Sequence, residues 1–132
     1  MGAHARRGRA GNGRVNALLV GALLGAAGVA AGAFGAHGLK DRLTPETLGW
    51  WDTASRYQLV HALALVLTGL LARQRGVTLA WPALLFLAGT VVFSGTLYAM
   101  ALGAPRWLGA VTPLGGAALI GGWIALALAA RT

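Results

Sequence analysis

The chain has 132 residues, of which 57% are hydrophobic and only 11% charged, and its formal net charge is +8. A soluble domain carries about 25% charged residues. This chain lacks the ionic side chains to cover a water-facing globule, so a water-soluble enzyme is excluded. Cysteine is absent, which also removes disulfides, thiol nucleophiles, iron–sulfur clusters and thiolate zinc sites.

The first fourteen residues hold Arg6, Arg7, Arg9 and Arg14 among glycine and alanine. No aromatic residue is interleaved with them to stack a base. The tail, 1–14, therefore reads as a disordered basic segment that orients a membrane protein rather than one that binds nucleic acid. The remainder, 15–132, reads as a single domain. Val15 to Ala36 is uncharged over 22 positions, Tyr57 to Ala72 over 16, Gly76 to Pro105 over 30 and Trp107 to Ala130 over 24. About 20 apolar residues cross a hydrocarbon core of roughly 30 Å, and nothing alternates with the period of a strand. The fold class expected is all-α, a bundle of four transmembrane helices near 15–36, 54–73, 78–101 and 107–130. A partly helical outer loop is expected over 38–53. The basic leader and Ala31-Gly32-Ala33 also suit a signal peptide, but 22 apolar positions exceed the roughly 7–15 of a signal core.

With the N-terminus inside, the inner side collects Arg6, Arg7, Arg9, Arg14, Arg73, Arg75 and Arg131, and the outer side Lys40, Arg42, Arg56 and Arg106. That excess follows the positive-inside rule. Trp50, Trp51, Tyr57, Tyr98 and Trp107 then fall at the outer level, and Trp81 and Trp123 nearer the inner one, as interfacial belts would.

In the first helix Gly21, Gly25, Gly28 and Gly32 follow a 4-3-4 spacing, with Gly35 beyond. Lipid gives helices no hydrophobic reason to associate, so such small residues mark close packing against another helix. Next, Thr44-Pro45-Glu46 reads as a helix start: a hydroxyl cap, a proline in the first turn and an acid at the positive dipole end. From there the chain can run as one long helix or bend near Gly49, with Asp52 and Arg56 spaced for an ion pair. Arg73-Gln74-Arg75-Gly76 is a short turn, which makes the second and third helices neighbours. Pro113 should bend the fourth helix or break its first turn.

The polar residues inside these runs gather on one side. His37 ends the first helix. Tyr57, Gln58 and His61 share the second, Thr90, Ser94 and Tyr98 recur at four-residue steps on the third, and Thr112 precedes Pro113 on the fourth. All but Thr90 fall in the expected outer half. Polar groups in lipid must find partners, so the candidate cluster is His37, Tyr57, Gln58, His61, Ser94, Tyr98 and Thr112. Two readings stand: hydrogen-bonding glue between helices, or a small pocket open to the outer face. Two histidines are too few for a usual zinc site, Ser94 lacks a nucleophile elbow and a supporting acid, and one histidine without a buried carboxylate makes a poor proton relay. No catalytic residue, metal site or cofactor is assigned. The partners expected are the lipid bilayer and a membrane protein or a second copy of the chain, not nucleic acid.

Gly32-Ala33-Phe34-Gly35-Ala36-His37-Gly38-Leu39 resembles the first signature of a family of small integral membrane proteins. It is known as domain of unknown function 423 and includes the transmembrane protein 256 group. Trp51, Thr53, Ala54, Tyr57, Gln58, His61 and Ala62 resemble its second block, Phe93-Ser94-Gly95-Thr96-Leu97-Tyr98 its third, and Thr112-Pro113-Leu114-Gly115-Gly116 with Gly122-Trp123 its fourth. The resemblance covers roughly residues 20–125. It implies a multi-pass membrane protein, in bacteria of the inner membrane, and carries no reaction. The function expected is a non-enzymatic structural or accessory membrane protein of unknown role, with both termini cytoplasmic. A small-molecule, ion or proton carrier is the alternative, and an intramembrane enzyme the third.

Overall fold

The structure, a computed structural model, describes residues 16–131. Four α-helices, α1 (Ala17–His37), α2 (Pro45–Arg75), α3 (Ala80–Ala101) and α4 (Thr112–Ala129), follow one another, with a 3-10 helix at Arg106–Ala110 ahead of α4. There is no strand among the described residues. The fold is all-α, and its four helical segments are each long and apolar enough to cross a membrane. The expected basic tail, 1–14, lies outside the described residues.

Local signals explain most of the boundaries. Asn16 caps α1, accepting from the Leu19 N–H at 3.2 Å. Thr44 caps α2 through the Thr47 N–H at 3.2 Å, with Pro45 in the first turn and Glu46 beside it. The second helix is longer than the expected 54–73: it runs unbroken from Pro45 through Gly49, so the loop shrinks from 38–53 to 38–44. The reason is packing. Trp51 is buried, edge-on to Tyr98 at a centroid distance of 4.6 Å, which holds the early turns of α2 against α3. Gly76 ends α2 in the left-handed conformation at φ 65°, where glycine pays no steric penalty. The fourth helical segment runs over Arg106–Ala129, close to the expected 107–130, and its first turn is broken as Pro113 leads one to expect. It opens as a 3-10 turn and becomes α-helical at Thr112, which leaves Pro113 in the first α-helical turn, where its missing N–H costs nothing. The Asp52–Arg56 ion pair does not form. Among the described residues the ion pair is Arg106–Glu46, at 3.6 Å across the exposed end where α2 begins, with the Arg106 guanidinium also 5.2 Å over the Trp50 ring.

Consecutive helices pack together: α1 on α2, α2 on α3 and α3 on α4. The seams are lined by glycine. In α1 the buried residues are Ala17, Gly21, Gly28 and Gly35, while Leu19, Leu23, Val29 and Phe34 point outward. This inverts the pattern of a helix in a soluble protein. A Cβ on Gly21 would lie 2.8 Å from the Ala62 carbonyl oxygen, and one on Gly28 2.9 Å from the Leu59 side chain. Gly25 and Gly32 are less critical than their 4-3-4 spacing suggests, because a Cβ there meets its nearest neighbour at 3.8 Å. Residues seven apart drift by only about 20° around a helix, so 21, 28 and 35 form one row. Gly25 and Gly32 each stand about 40° off it.

The same device recurs elsewhere. Gly69 of α2 meets the Leu18 backbone, Gly89 of α3 meets Leu119, and Gly115 and Gly122 of α4 meet Phe93 and Phe86. The central core is Ala64, Leu65, Ala83, Phe86 and Leu119, with Ala17 at its margin.

Candidate functional site

Gln58 is the hub of the buried polar residues. It lies near the middle of α2 and is only 6% exposed. Its Nε2 donates to the Leu24 carbonyl of α1 at 3.0 Å, and its Oε1 accepts the Tyr98 hydroxyl of α3 at 2.7 Å. One amide thereby ties three helices together. A turn nearer the start of α2, the Ala54 carbonyl accepts from the Ser94 hydroxyl of α3 at 2.8 Å, and Trp51 Nε1 of α2 donates to the Ala31 carbonyl of α1 at 2.8 Å. Three interhelical bonds therefore end on backbone carbonyls that already serve their own helices. A carbonyl has two lone pairs, so such bonds break no helix turn.

His61 sits one residue from the midpoint of α2. Trp123 Nε1 of α4 lies 3.0 Å from its Nε2. An indole nitrogen only donates, so Nε2 accepts. The ring proton therefore rests on Nδ1, which donates to the Tyr57 carbonyl at 2.7 Å. Phe86 and Trp123 flank the imidazole, each with a ring centroid 5.9 Å away. Thr112 of α4 meets Thr96 of α3 hydroxyl to hydroxyl at 2.6 Å. The shortest contacts are met together when Thr112 donates to Thr96 and Thr96 donates to the Val92 carbonyl at 2.7 Å.

Five of the seven candidate residues, Gln58, His61, Ser94, Tyr98 and Thr112, thus join helices. Among the described residues the other two make no hydrogen bond between helices. His37 is exposed at the last turn of α1. Tyr57 is 42% exposed and contributes its ring, stacked on His61 and tilted against Phe93 at 4.6 Å. Trp51, Trp123 and Thr96 belong to the array although sequence reasoning gave them no such place. Both tryptophans read as interfacial anchors, yet an indole N–H inside an apolar run needs an acceptor, and that requirement was the available signal. Thr90 is the exception to satisfaction. It is 3% exposed, and among the described residues its hydroxyl is the buried side-chain polar atom without a partner.

This arrangement offers little for chemistry. The Ser94 hydroxyl points its hydrogen at a peptide carbonyl rather than at a base, and both His61 nitrogens are engaged. No group of three His, Cys, Asp or Glu side chains suited to a metal gathers among the described residues.

Four long apolar helices, glycine seams and a polar array turned inward define a small helical membrane protein. Comparison with known proteins gives its kinship. The chain belongs to the family described as protein of unknown function (DUF423), whose model matches residues 31–116. It is 42% identical over 112 residues to a UPF0382 membrane protein of Staphylococcus epidermidis, covering 85% of this chain and 92% of the relative. A UPF0382 membrane protein of Staphylococcus haemolyticus is 40% identical over 109 residues, covering 83% of this chain and 89% of the relative. No solved structure matches the chain.

Proposed function

We propose that this chain is a non-enzymatic, multi-pass protein of the plasma (inner) membrane, structural or accessory in role, with both termini in the cytoplasm. One observation carries the reading. The amide, imidazole and hydroxyls that a carrier or enzyme would use are committed to holding helices together. The seven-to-four division of arginine and lysine between the two ends supports the orientation. The outward apolar faces of α1 and α4 suit lipid, a membrane-protein partner or a second copy.

Reconstitution tests it. Proteoliposomes of the purified chain, loaded with a pH-sensitive dye and challenged with a pH or cation gradient, should leak no faster than protein-free vesicles. A gradient-driven flux lost in His61→Leu would overturn the reading. The carrier alternative keeps one observation in its favour, the unpartnered Thr90 hydroxyl at mid-length of α3. That alternative requires Thr90→Val to abolish the flux.

A further inference from the structure

The two ends of the bundle differ in charge chemistry. All three acidic side chains, Asp41, Glu46 and Asp52, lie on the α1–α2 connection or the first turns of α2. The opposite end, where α2 and α4 finish and α3 begins, carries Arg73, Arg75 and Arg131 and no acid among the described residues. A surface groove of about 540 Å³ opens there between the α2–α3 turn and the end of α4, lined by Arg75, Val77, Thr78, Leu79 and Ala129. Arg75 is held at the groove. Its Nη1 donates to the Ala129 carbonyl at 3.0 Å, which uses one of the five guanidinium donors. The charge is met there by a carbonyl rather than a carboxylate. The lining adds a hydroxyl from Thr78 and apolar walls from Val77 and Leu79. Trp81, 74% exposed at the start of α3, sits where interfacial tryptophans mark the headgroup level.

From this geometry we infer that the groove binds an anionic glycerophospholipid, with the headgroup phosphate on Arg75, at the end of the bundle that also carries Arg73 and Arg131. A guanidinium presents paired donors that match phosphate oxygens, and basic residues next to the bilayer draw anionic lipid. The apolar walls beside the charge, Val77 and Leu79, favour a lipid over free phosphate, because acyl chains can pack on them and a free anion cannot. The site goes beyond the accessory role and does not depend on it.

The test is a thermal melt of the full chain in neutral detergent with added phosphatidylglycerol, phosphatidylcholine or soluble glycerol 3-phosphate. Phosphatidylglycerol should raise the melting temperature several degrees more than phosphatidylcholine, and glycerol 3-phosphate should leave it unchanged. Arg75→Gln keeps a donor for the Ala129 carbonyl and removes the charge, and should remove most of that advantage. The pair Arg73→Gln with Arg131→Gln, which breaks no hydrogen bond of the fold, should reduce it as well. Arg106→Gln at the far end should not. Equal responses to the two lipids, an equal response to glycerol 3-phosphate, or an advantage that survives at the basic end or vanishes with Arg106→Gln would overturn the site.

Discussion

Tyr98 donates its hydroxyl to Oε1 of Gln58 at 2.7 Å, and this bond decides which way the Gln58 amide faces. With Oε1 turned to α3, Nε2 is free to reach the Leu24 carbonyl of α1. Interhelical hydrogen bonds in membrane proteins contribute about 0.6 kcal/mol on average and up to about 1.7. Gln58→Leu removes two and should destabilise the bundle by roughly 1–3 kcal/mol, read as a lower melting temperature in detergent. Tyr98→Phe removes one and should cost less than Gln58→Leu.

Ser94 and Thr90 share a face of α3 and should respond oppositely. Ser94→Ala deletes the bond to the Ala54 carbonyl and should cost about 0.5–1.5 kcal/mol. Thr90→Val replaces an unpartnered buried hydroxyl with a methyl of similar size. It should be neutral or stabilising, because an unmet buried hydroxyl carries its desolvation cost without return. Parallel melts of the two variants check the sign.

The glycines of α1 should separate by register. Gly21→Ala forces a methyl into the Ala62 and Val66 backbone and should lower stability sharply, whereas Gly25→Ala meets only ordinary contact and should be tolerated. Gly95→Ala supplies the control. A Cβ there meets nothing within 4 Å, so the helix should gain about 0.5–1 kcal/mol. Equal losses at Gly21 and Gly25 would contradict the seam.

His61 and Trp123 should be energetically coupled. Their bond spans α2 and α4 at 3.0 Å, so His61→Leu and Trp123→Phe should each destabilise the fold. The double variant should cost less than the sum by about 0.5–3 kcal/mol. Additive losses would show that the bond contributes nothing.

Topology can be read with thiols, because the chain has no cysteine of its own. A membrane-impermeant maleimide added to intact cells should label Arg42→Cys. Gln74→Cys should react only after permeabilisation. The reverse pattern would invert the orientation.

The helices were legible in the residue order because length and apolarity suffice to define a bilayer-crossing segment, and the ends of α1 and α3 fall within about two residues of the expected ones, as helix ends usually do. The start of α2 was less so. Thr44-Pro45-Glu46 announced a helix, but whether that helix would continue past Gly49 depended on Trp51 finding Phe34 and Tyr98. The polar array was half legible. Gln58, His61 and Ser94 stood out as polar residues in apolar runs, whereas Trp51 and Trp123 hid their donors behind large rings. Thr96 gave no sign of facing Thr112.

By itself the amino-acid order determined the solvent. So few charges among so many apolar side chains leave lipid as the medium, and lipid obliges every backbone group to bond within its own helix. Only the packed helices decided the partners. Which glycine is crowded and which is not, and whether a hydroxyl meets a carbonyl or nothing, depend on rotations of a few tens of degrees between neighbouring helices. Gly21 and Gly25 look alike in the chain, but one touches the backbone of α2 and the other does not.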